Sequence, residues 1–262
     1  MTVTFTKRCP GAPSGYAAWE AAGLRWLAEA DGSGGARVVD VLAVGGDHLE
    51  LERLTPRSGG PTPAQAEGFG RALAVTHALG ATAFGAGPSG WDGDGWLGPA
   101  DEPLALPLRP SATWGEFFAE QRVLHTLRLG RERGLWAGDT AIFEAVAQRV
   151  ATGEFDGEGR DLAPARLHGD LWAGNVLWTE AGAVLIDPAA HGGHRESDLV
   201  MLALFGAPHL ERIIAGYDEA DPLTPGWRER VALHQLHPVM LHAVLFGGGY
   251  VGQSVALARR YA

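Results

Sequence analysis

Residues 167–187 read Leu167-His168-Gly169-Asp170-Leu171-Trp172-Ala173-Gly174-Asn175-Val176-Leu177-Trp178-Thr179-Glu180-Ala181-Gly182-Ala183-Val184-Leu185-Ile186-Asp187. The runs Asn175–Trp178 and Ala183–Ile186 flank Thr179-Glu180-Ala181-Gly182, the pattern of a β-hairpin. Pairing across that turn sets Asn175 opposite Ile186 and Asp187 opposite Gly174, so the carboxamide and the carboxylate at the strand ends are expected to be neighbours. Just ahead, His168-Gly169-Asp170 puts a second carboxylate on the loop that leads into the hairpin.

Outward from the hairpin, the first fifty residues predict a small α+β unit. Val3, Phe5 and Lys7 share one face of a short strand, so Lys7 is expected on the side where Val3 and Phe5 pack. Tyr16 to Ala30 is alanine-rich and helical, with Trp19, Leu24 and Leu27 on one side and Glu20 within it. Two strands follow, Arg37 to Val44 and His48 to Leu54, separated by the turn signal Gly45-Gly46-Asp47. Beyond Leu54 the pattern is mainly helical. Thr62-Pro63 starts a helix reaching about Leu79. Thr113 and Glu116 have capping-box spacing at the head of a helix to about Arg133, and Asp139 caps another ending near Gly153. Thr224-Pro225 starts a long helix that Pro238 is expected to kink. Gly85–Gly98 and Asp101–Pro110 carry no periodic core pattern and read as surface loops. The expected division is a small unit over 1–54 and a helical one over 55–262.

Composition narrows the function classes. The 262 residues carry 21 Lys and Arg against 31 Asp and Glu, a formal net charge of −10. That argues against nonspecific nucleic-acid binding, which needs a basic face. Apolar residues make up 46% of the chain, enough for a substantial core. The single cysteine, Cys9, excludes an internal disulfide and suits a reducing cytosol. Lys7 and Arg8 fall where a signal peptide has its apolar run, and no stretch of about 18 uncharged apolar residues appears. A cytoplasmic protein with neither membrane nor nucleic-acid partner is the expectation.

The residues around the hairpin suit one chemistry. A magnesium ion bridging nucleotide phosphates takes hard oxygen ligands from one or two side chains, and Asn175 and Asp187 supply such a pair. Phosphoryl transfer also needs a carboxylate, separate from the metal ligands, to orient the acceptor hydroxyl and take its proton. Asp170 suits that role. His168 reads as structural, its ring donating to nearby backbone. Trp172 reads as packing or as a surface on which the amine-bearing part of a substrate stacks. His191, His194, Glu196 and Asp198, with His168 and Asp170, raise the rival reading of a two-metal hydrolase. Against it, Gly192-Gly193 separates the two histidines by a loop that fixes no ligand geometry.

His168-Gly169-Asp170 with Asn175 and then Asp187 resembles the catalytic loop and metal-binding aspartate of protein-kinase-like phosphotransferases. The longer strings "LHGDLWAGNVLW" and "LIDPAAHGGHRESDLVML" resemble the narrower fructosamine (ketosamine) kinase family. "AAWEAAGLRWL", "TWGEFFAEQRV" and "LHQLHPVMLHAVLFGGGY" agree with it in the correct order. The resemblance implies a two-lobed protein-kinase-like fold that uses ATP and Mg2+. It implies Asp170 as catalytic base and Asn175 and Asp187 as magnesium ligands. Lys7 becomes the strand lysine at the nucleotide phosphates, and Glu20 the helix glutamate that pairs with it. Glu52-Arg53-Leu54 becomes the interlobe hinge whose backbone meets adenine, and Asp198 a support for the catalytic loop. The implied reaction phosphorylates the 3-hydroxyl of ketosamines such as fructosamine or ribulosamine, a step in protein deglycation. The family places a glycine-rich hairpin before the lysine strand. Six residues precede Lys7, and Gly45-Gly46 lies after the helix, so the expected N-terminal lobe is shortened by that hairpin. The rivals that follow are an aminoglycoside-type or other small-molecule kinase, and a weakly active or noncatalytic nucleotide-binding relic.

Overall fold

In the computed structural model, which describes residues 3–262, three antiparallel strands form a sheet in the order β1-β3-β2. They are β1 (Thr4–Arg8), β2 (Val41–Val44) and β3 (His48–Glu52), with Lys7 opposite Leu49 and Phe5 opposite Leu51. Helix α1 (Tyr16–Ala28) lies beneath, and Leu24 and Leu27 join Leu49 and Leu51 in one buried cluster. The face that β1 shares with Leu49 and Leu51 is the one Lys7 uses. The expected packing of Val3 and Phe5 is absent, however. They are 63% and 45% exposed because β1 is the outer strand and the buried contact is made by β3.

The strand expected over Arg37–Val44 divides. Only Val41–Val44 joins the sheet. Arg37 and Val39 instead pair with Leu185, whose N–H donates to Arg37 O at 2.8 Å and whose carbonyl accepts from Val39 N at 3.0 Å. This ties the first unit to the hairpin β7 (Val176–Thr179) and β8 (Gly182–Leu185), which has the expected register, Val176 opposite Leu185.

Helix α2 (Pro63–Ala78) has a complete capping box: Thr62 Oγ1 accepts from Gln65 N at 3.2 Å, and Gln65 Oε1 accepts from Thr62 N at 3.0 Å. The segments read as loops contain a hairpin, β4 (Gly95–Leu97) with β5 (Leu104–Leu106), and Leu104, Leu106 and Leu108 are buried. Their period-two spacing was the overlooked signal. The helix expected over 113–133 is three stretches: α3 (Trp114–Phe117), a π-helical turn over Phe118–Leu124, and α4 (His125–Glu132). Thr113 Oγ1 accepts from Glu116 N at 3.2 Å. Asp139 sits at the N-cap of α5 (Thr140–Val150) but makes no capping bond with its side chain.

Strands β6 (Ala165–Leu167) and β9 (His191–Gly193) pair with each other and bracket residues 168–190. Then come α6 (Glu196–Leu204), α7 (Leu210–Ala220), α8 (Trp227–Phe246) and α9 (Gly249–Ala258). Packing of α7 on α2 needs Gly70, where a Cβ would stand 2.0 Å from Ile213 O. Helix α8 begins after Gly226 rather than at Thr224-Pro225, because the Thr224 hydroxyl is bonded to Asp161 and accepts from Arg230 at 2.9 Å. The α8 helix runs on through Pro238 to Phe246. Three buried clusters result, the smallest of them Trp19 with Leu106, Leu108 and Ala189. One of the larger two passes from α1 and β3 through α2, the hairpin and α7, crossing residue 54. The other joins the π-helical turn, α5, α8 and α9. No helix among the described residues is long and apolar enough to cross a membrane.

Candidate active site

The loop between β6 and β7 is held from below by α6. Asp198 Oδ2 accepts from His168 N at 2.7 Å, its Oδ1 accepts from Gly169 N at 3.0 Å, and His77 Nε2 lies 3.2 Å from Oδ2. His77 in turn contacts the Tyr217 hydroxyl at 2.8 Å. Gly169 has φ +81°, and a Cβ there would stand 2.1 Å from Ala189 O, so the loop cannot follow this path with a larger residue. The His168 ring donates from Nε2 to Ile186 O at 2.9 Å and accepts at Nδ1 from Asp170 N at 3.3 Å, which assigns it a neutral, structural state. Burial lowers its pKa in the same direction.

These bonds present Asp170 at the top of the loop. Asn175 Nδ2 donates to Asp170 O at 2.8 Å, to Asp170 Oδ2 at 3.1 Å and to Asp187 O at 3.3 Å. The amide nitrogen is thereby committed, and the amide oxygen is the group left for a ligand. Burial pushes Asp170 up to about 6; the Asn175 hydrogen bond opposes this, and Asp187 and Asp198 add to it. Asp187 follows β8 with φ +53°, a left-handed conformation that costs a non-glycine residue energy. Its carboxylate reaches Lys7 Nζ at 2.9 Å, and Lys7 also binds both Glu20 oxygens at 2.9 and 2.7 Å. Burial alone would lower the Lys7 pKa, but Glu20 and Asp187 outweigh it and raise it, so Lys7 is firmly a cation.

Lys7, Glu20, Asp170, Asn175 and Asp187 therefore line one cavity of about 220 Å³. Its donor set is carboxylate and amide oxygen, with no His or Cys in the wall, and that set fits a hard divalent cation. A second cavity of about 400 Å³ lies beyond Asp170, walled largely by apolar side chains of the π-helical turn, α6 and α8. Asp170, Trp172 and the Leu97-Gly98-Pro99 turn border both. The arrangement is a charged compartment and an apolar one meeting at a carboxylate of raised pKa.

Glu52, Arg53 and Leu54 stand apart from both cavities. Glu52 pairs with Arg37 at 2.5 Å, Arg53 N donates to Val3 O at 2.8 Å, and Leu54 packs on the first core cluster. The other acidic and histidine residues form a buried network. Arg195 Nε donates to Asp161 Oδ1 at 2.7 Å, and Arg230 binds both oxygens of Glu196 and Asp161 Oδ2. His194, Glu196 and His234 place ligand atoms within 4.8 Å of one another, but Arg230 already supplies the positive charge for that carboxylate. His191 donates to Ala189 O at 2.8 Å, and Asp198 is committed to the loop. These partners remove the basis for a two-metal hydrolase. Sequence reasoning missed the contact of Lys7 with Asp187, the place of Trp96 in the wall of the smaller cavity, and the Asp161 network. None carries a local pattern, because each is made by residues far apart in the chain.

Comparison with known proteins gives a consistent result. The family described as fructosamine kinase matches residues 13–261. A "Probable ketoamine kinase" of Vibrio parahaemolyticus is 36% identical over 186 residues, 71% of this chain and 59% of that relative. One of Thermus thermophilus is 34% identical over 240 residues, 92% of this chain and 80% of the relative. The match to the Vibrio relative thus spans about six-tenths of its length. Among solved structures, a "putative fructosamine-3-kinase" of Thermobifida fusca superposes with TM-score 0.87 and 46% identity, covering 99% of this chain and 85% of that one. A macrolide 2'-phosphotransferase of Brachybacterium faecium superposes with TM-score 0.59 at 15% identity over 98% of this chain and 84% of its own, a likeness of fold alone.

Proposed function

The chain belongs to the fructosamine kinase family, and we propose on that premise that it transfers the γ-phosphoryl group of ATP to a sugar hydroxyl of a ketosamine. The observation that carries this reading is the junction at Asp170. The charged compartment with Lys7, Asn175 and Asp187 suits a metal-bound triphosphate, and the apolar one suits an organic acceptor. In this reading the acceptor oxygen forms the new O–P bond as the bond from the γ-phosphorus to the bridging oxygen of ADP breaks. Asp170 takes the hydroxyl proton. A carboxylate at about 6 is ionised at neutral pH and still a competent base.

Asn175 and Asp187 would hold Mg2+, which when bound neutralises developing charge on the phosphates. Lys7, kept charged and anchored by Glu20, orients the phosphate chain. Asp198 fixes the loop, so that Asp170 needs no reorganisation before transfer. The lobe division after Leu54, the role of Glu52-Arg53-Leu54 as an adenine-contacting hinge, and the 3-hydroxyl as acceptor belong to the same proposal. A polycationic aminoglycoside is the poorer acceptor, because the larger cavity offers only Asp170 and Asp198 as acids, and Asp198 is already fully bonded.

The test is ATP consumption with fructosyl- and ribulosyl-amines by wild type and Asp170→Asn. Wild-type turnover that falls by about 100- to 10,000-fold in the variant is expected, with Mg-ATP binding by calorimetry retained. Binding of Mg-ATP with no turnover of any acceptor would make the chain a nucleotide-binding relic.

A further inference from the structure

The larger cavity contains an imidazole to which the protein gives no partner. His237 lies in its wall, half-buried on α8 just before Pro238. Neither of its ring nitrogens has a hydrogen-bond partner among the described residues, and neither is sealed from solvent. The other polar side chains of the wall are tied down. Ser197 Oγ and His234 Nδ1 bond each other at 3.0 Å, and His234 Nε2 lies 3.3 Å from Glu196 Oε2. His242 donates from Nδ1 to Pro238 O at 2.7 Å and stands against the Phe205 and Phe246 rings. Arg122 donates from Nη1 to Pro107 O and Gln121 O, and its Nη2 is sealed inside the protein. Asp198 is spent on the catalytic loop.

Burial pushes the His237 pKa well below its usual range, and Arg122, His191, His125 and His242 act in the same direction, so the ring is neutral. A neutral imidazole offers one N–H donor and one lone pair. A ligand that fills the cavity strips water from both, which is costly unless the ligand replaces the lost hydrogen bonds. A sugar hydroxyl both donates and accepts, so it matches either nitrogen; a hydrocarbon matches neither. His191 adds a second lone pair to the same wall. Its Nδ1 donates to Ala189 O at 2.8 Å, burial lowers its pKa to about 3, and its Nε2 is not sealed from solvent. With Asp170 these groups give one cavity several places for hydroxyls, set among Leu241, Leu245 and Phe246.

We propose that His237 is a substrate-binding residue: its ring hydrogen-bonds a sugar hydroxyl other than the one phosphorylated, while the acceptor hydroxyl meets Asp170. This rests on the kinase reading and names the group that recognises the rest of the sugar. His237 thereby selects a fully hydroxylated chain over one that lacks the contacted hydroxyl. In the deoxy compound the imidazole is desolvated without a replacement partner, which is the strongest discrimination a hydrogen-bonding site can exert.

The test compares fructosyl-butylamine with its 4-, 5- and 6-deoxy analogues. In wild type, one of the analogues is expected to lose about 10- to 100-fold in kcat/KM, carried mainly by KM. His237→Leu should lose about as much on the parent compound and nothing further on that analogue, with the other analogues keeping their wild-type ratios to the parent. His237→Gln, whose amide both donates and accepts, should restore part of the loss. Equal losses on all four substrates in His237→Leu would make His237 a scaffold residue and overturn the proposal. Equal wild-type turnover of all four overturns it with no variant needed and leaves the kinase reading standing. No wild-type turnover of the parent compound overturns both.

Discussion

Asp161 and Glu196 are fully buried, and their oxygens meet Arg195, Arg230 and the Thr224 hydroxyl. Asp170 and Asp187 lie a few residues away in sequence terms, on the loops either side of the β7–β8 hairpin, and are treated in the opposite way. Asp187 is 41% exposed at its side chain, shares one lysine with Glu20, and sits in left-handed backbone. Asp170 has a single side-chain donor, Asn175. The first pair is bonded to completion and fixes how α6 and α8 meet. The second keeps free oxygens and stored strain, which is what a group must keep if it is to bind and release a partner. Identical carboxylates thus separate into structure and chemistry according to how many donors the fold supplies.

The comparison breaks most visibly at Asp187. Asp187→Asn should lower turnover by at least about 1,000-fold and abolish the Mg2+ dependence of ATP binding. Its melting temperature should stay level or rise slightly, because Asn tolerates left-handed backbone well and Lys7 keeps Glu20. Loss of stability together with loss of activity would mean that Asp187 belongs to the scaffold instead.

Asp198 sits between the two regions, bonded to the loop above and to His77 below. In Asp198→Asn one of the loop N–H groups must face an NH2 group, and a buried acceptor is lost, at a cost of about 3 kcal/mol. Turnover should fall about 10- to 100-fold with KM for ATP little changed, since Lys7, Asn175 and Asp187 do not touch it. Differential scanning calorimetry together with steady-state kinetics checks both halves.

These differences explain what was legible in the sequence. The hairpin, its register and the adjacency of Asn175 to Asp187 followed from alternation and turn residues, and the structure has them. Lys7 with Glu20 came from family resemblance, and their contact is present. What could not be read depends on long-range packing. The buried arginines were indistinguishable in sequence from solvated ones. The split of Arg37–Val44 depends on Leu185, more than a hundred residues away. Exposure of Val3 and Phe5 depends on which strand α1 covers. The π-helical turn obeys the same apolar pattern as an α-helix, so periodicity passed over it.

Acid titration separates the regions more finely. Burial alone would push Glu196 up, but the His234 ring and Arg230 hold it down to about 2, below the ordinary value of 4.5. A carboxylate depressed in the folded state adds stability that is fully present above pH 4.5 and is lost as pH falls toward 2, here roughly 3 kcal/mol. Wild type should therefore lose melting temperature through that window. Glu196→Gln should start lower at neutral pH, by several degrees or more, and change less across the same range. Parallel curves for the two proteins would show that Glu196 is not held by its partners.

The smallest effect is expected at Glu52, and it bears on whether the segment after β3 acts through backbone or side chains. Glu52 is 17% exposed at its side chain and pairs with Arg37, which is 40% exposed, and pairs open to solvent on one side contribute about 1 kcal/mol or less. Its side chain faces neither cavity, so any contact with adenine in our proposal is made by peptide groups, which substitution leaves in place. Glu52→Gln should shift KM for ATP by less than about twofold and the melting temperature by about 2 °C or less. A tenfold rise in KM would place the carboxylate itself at the nucleotide, and the apolar-and-charged division at Asp170 would then need a third compartment near the end of β3.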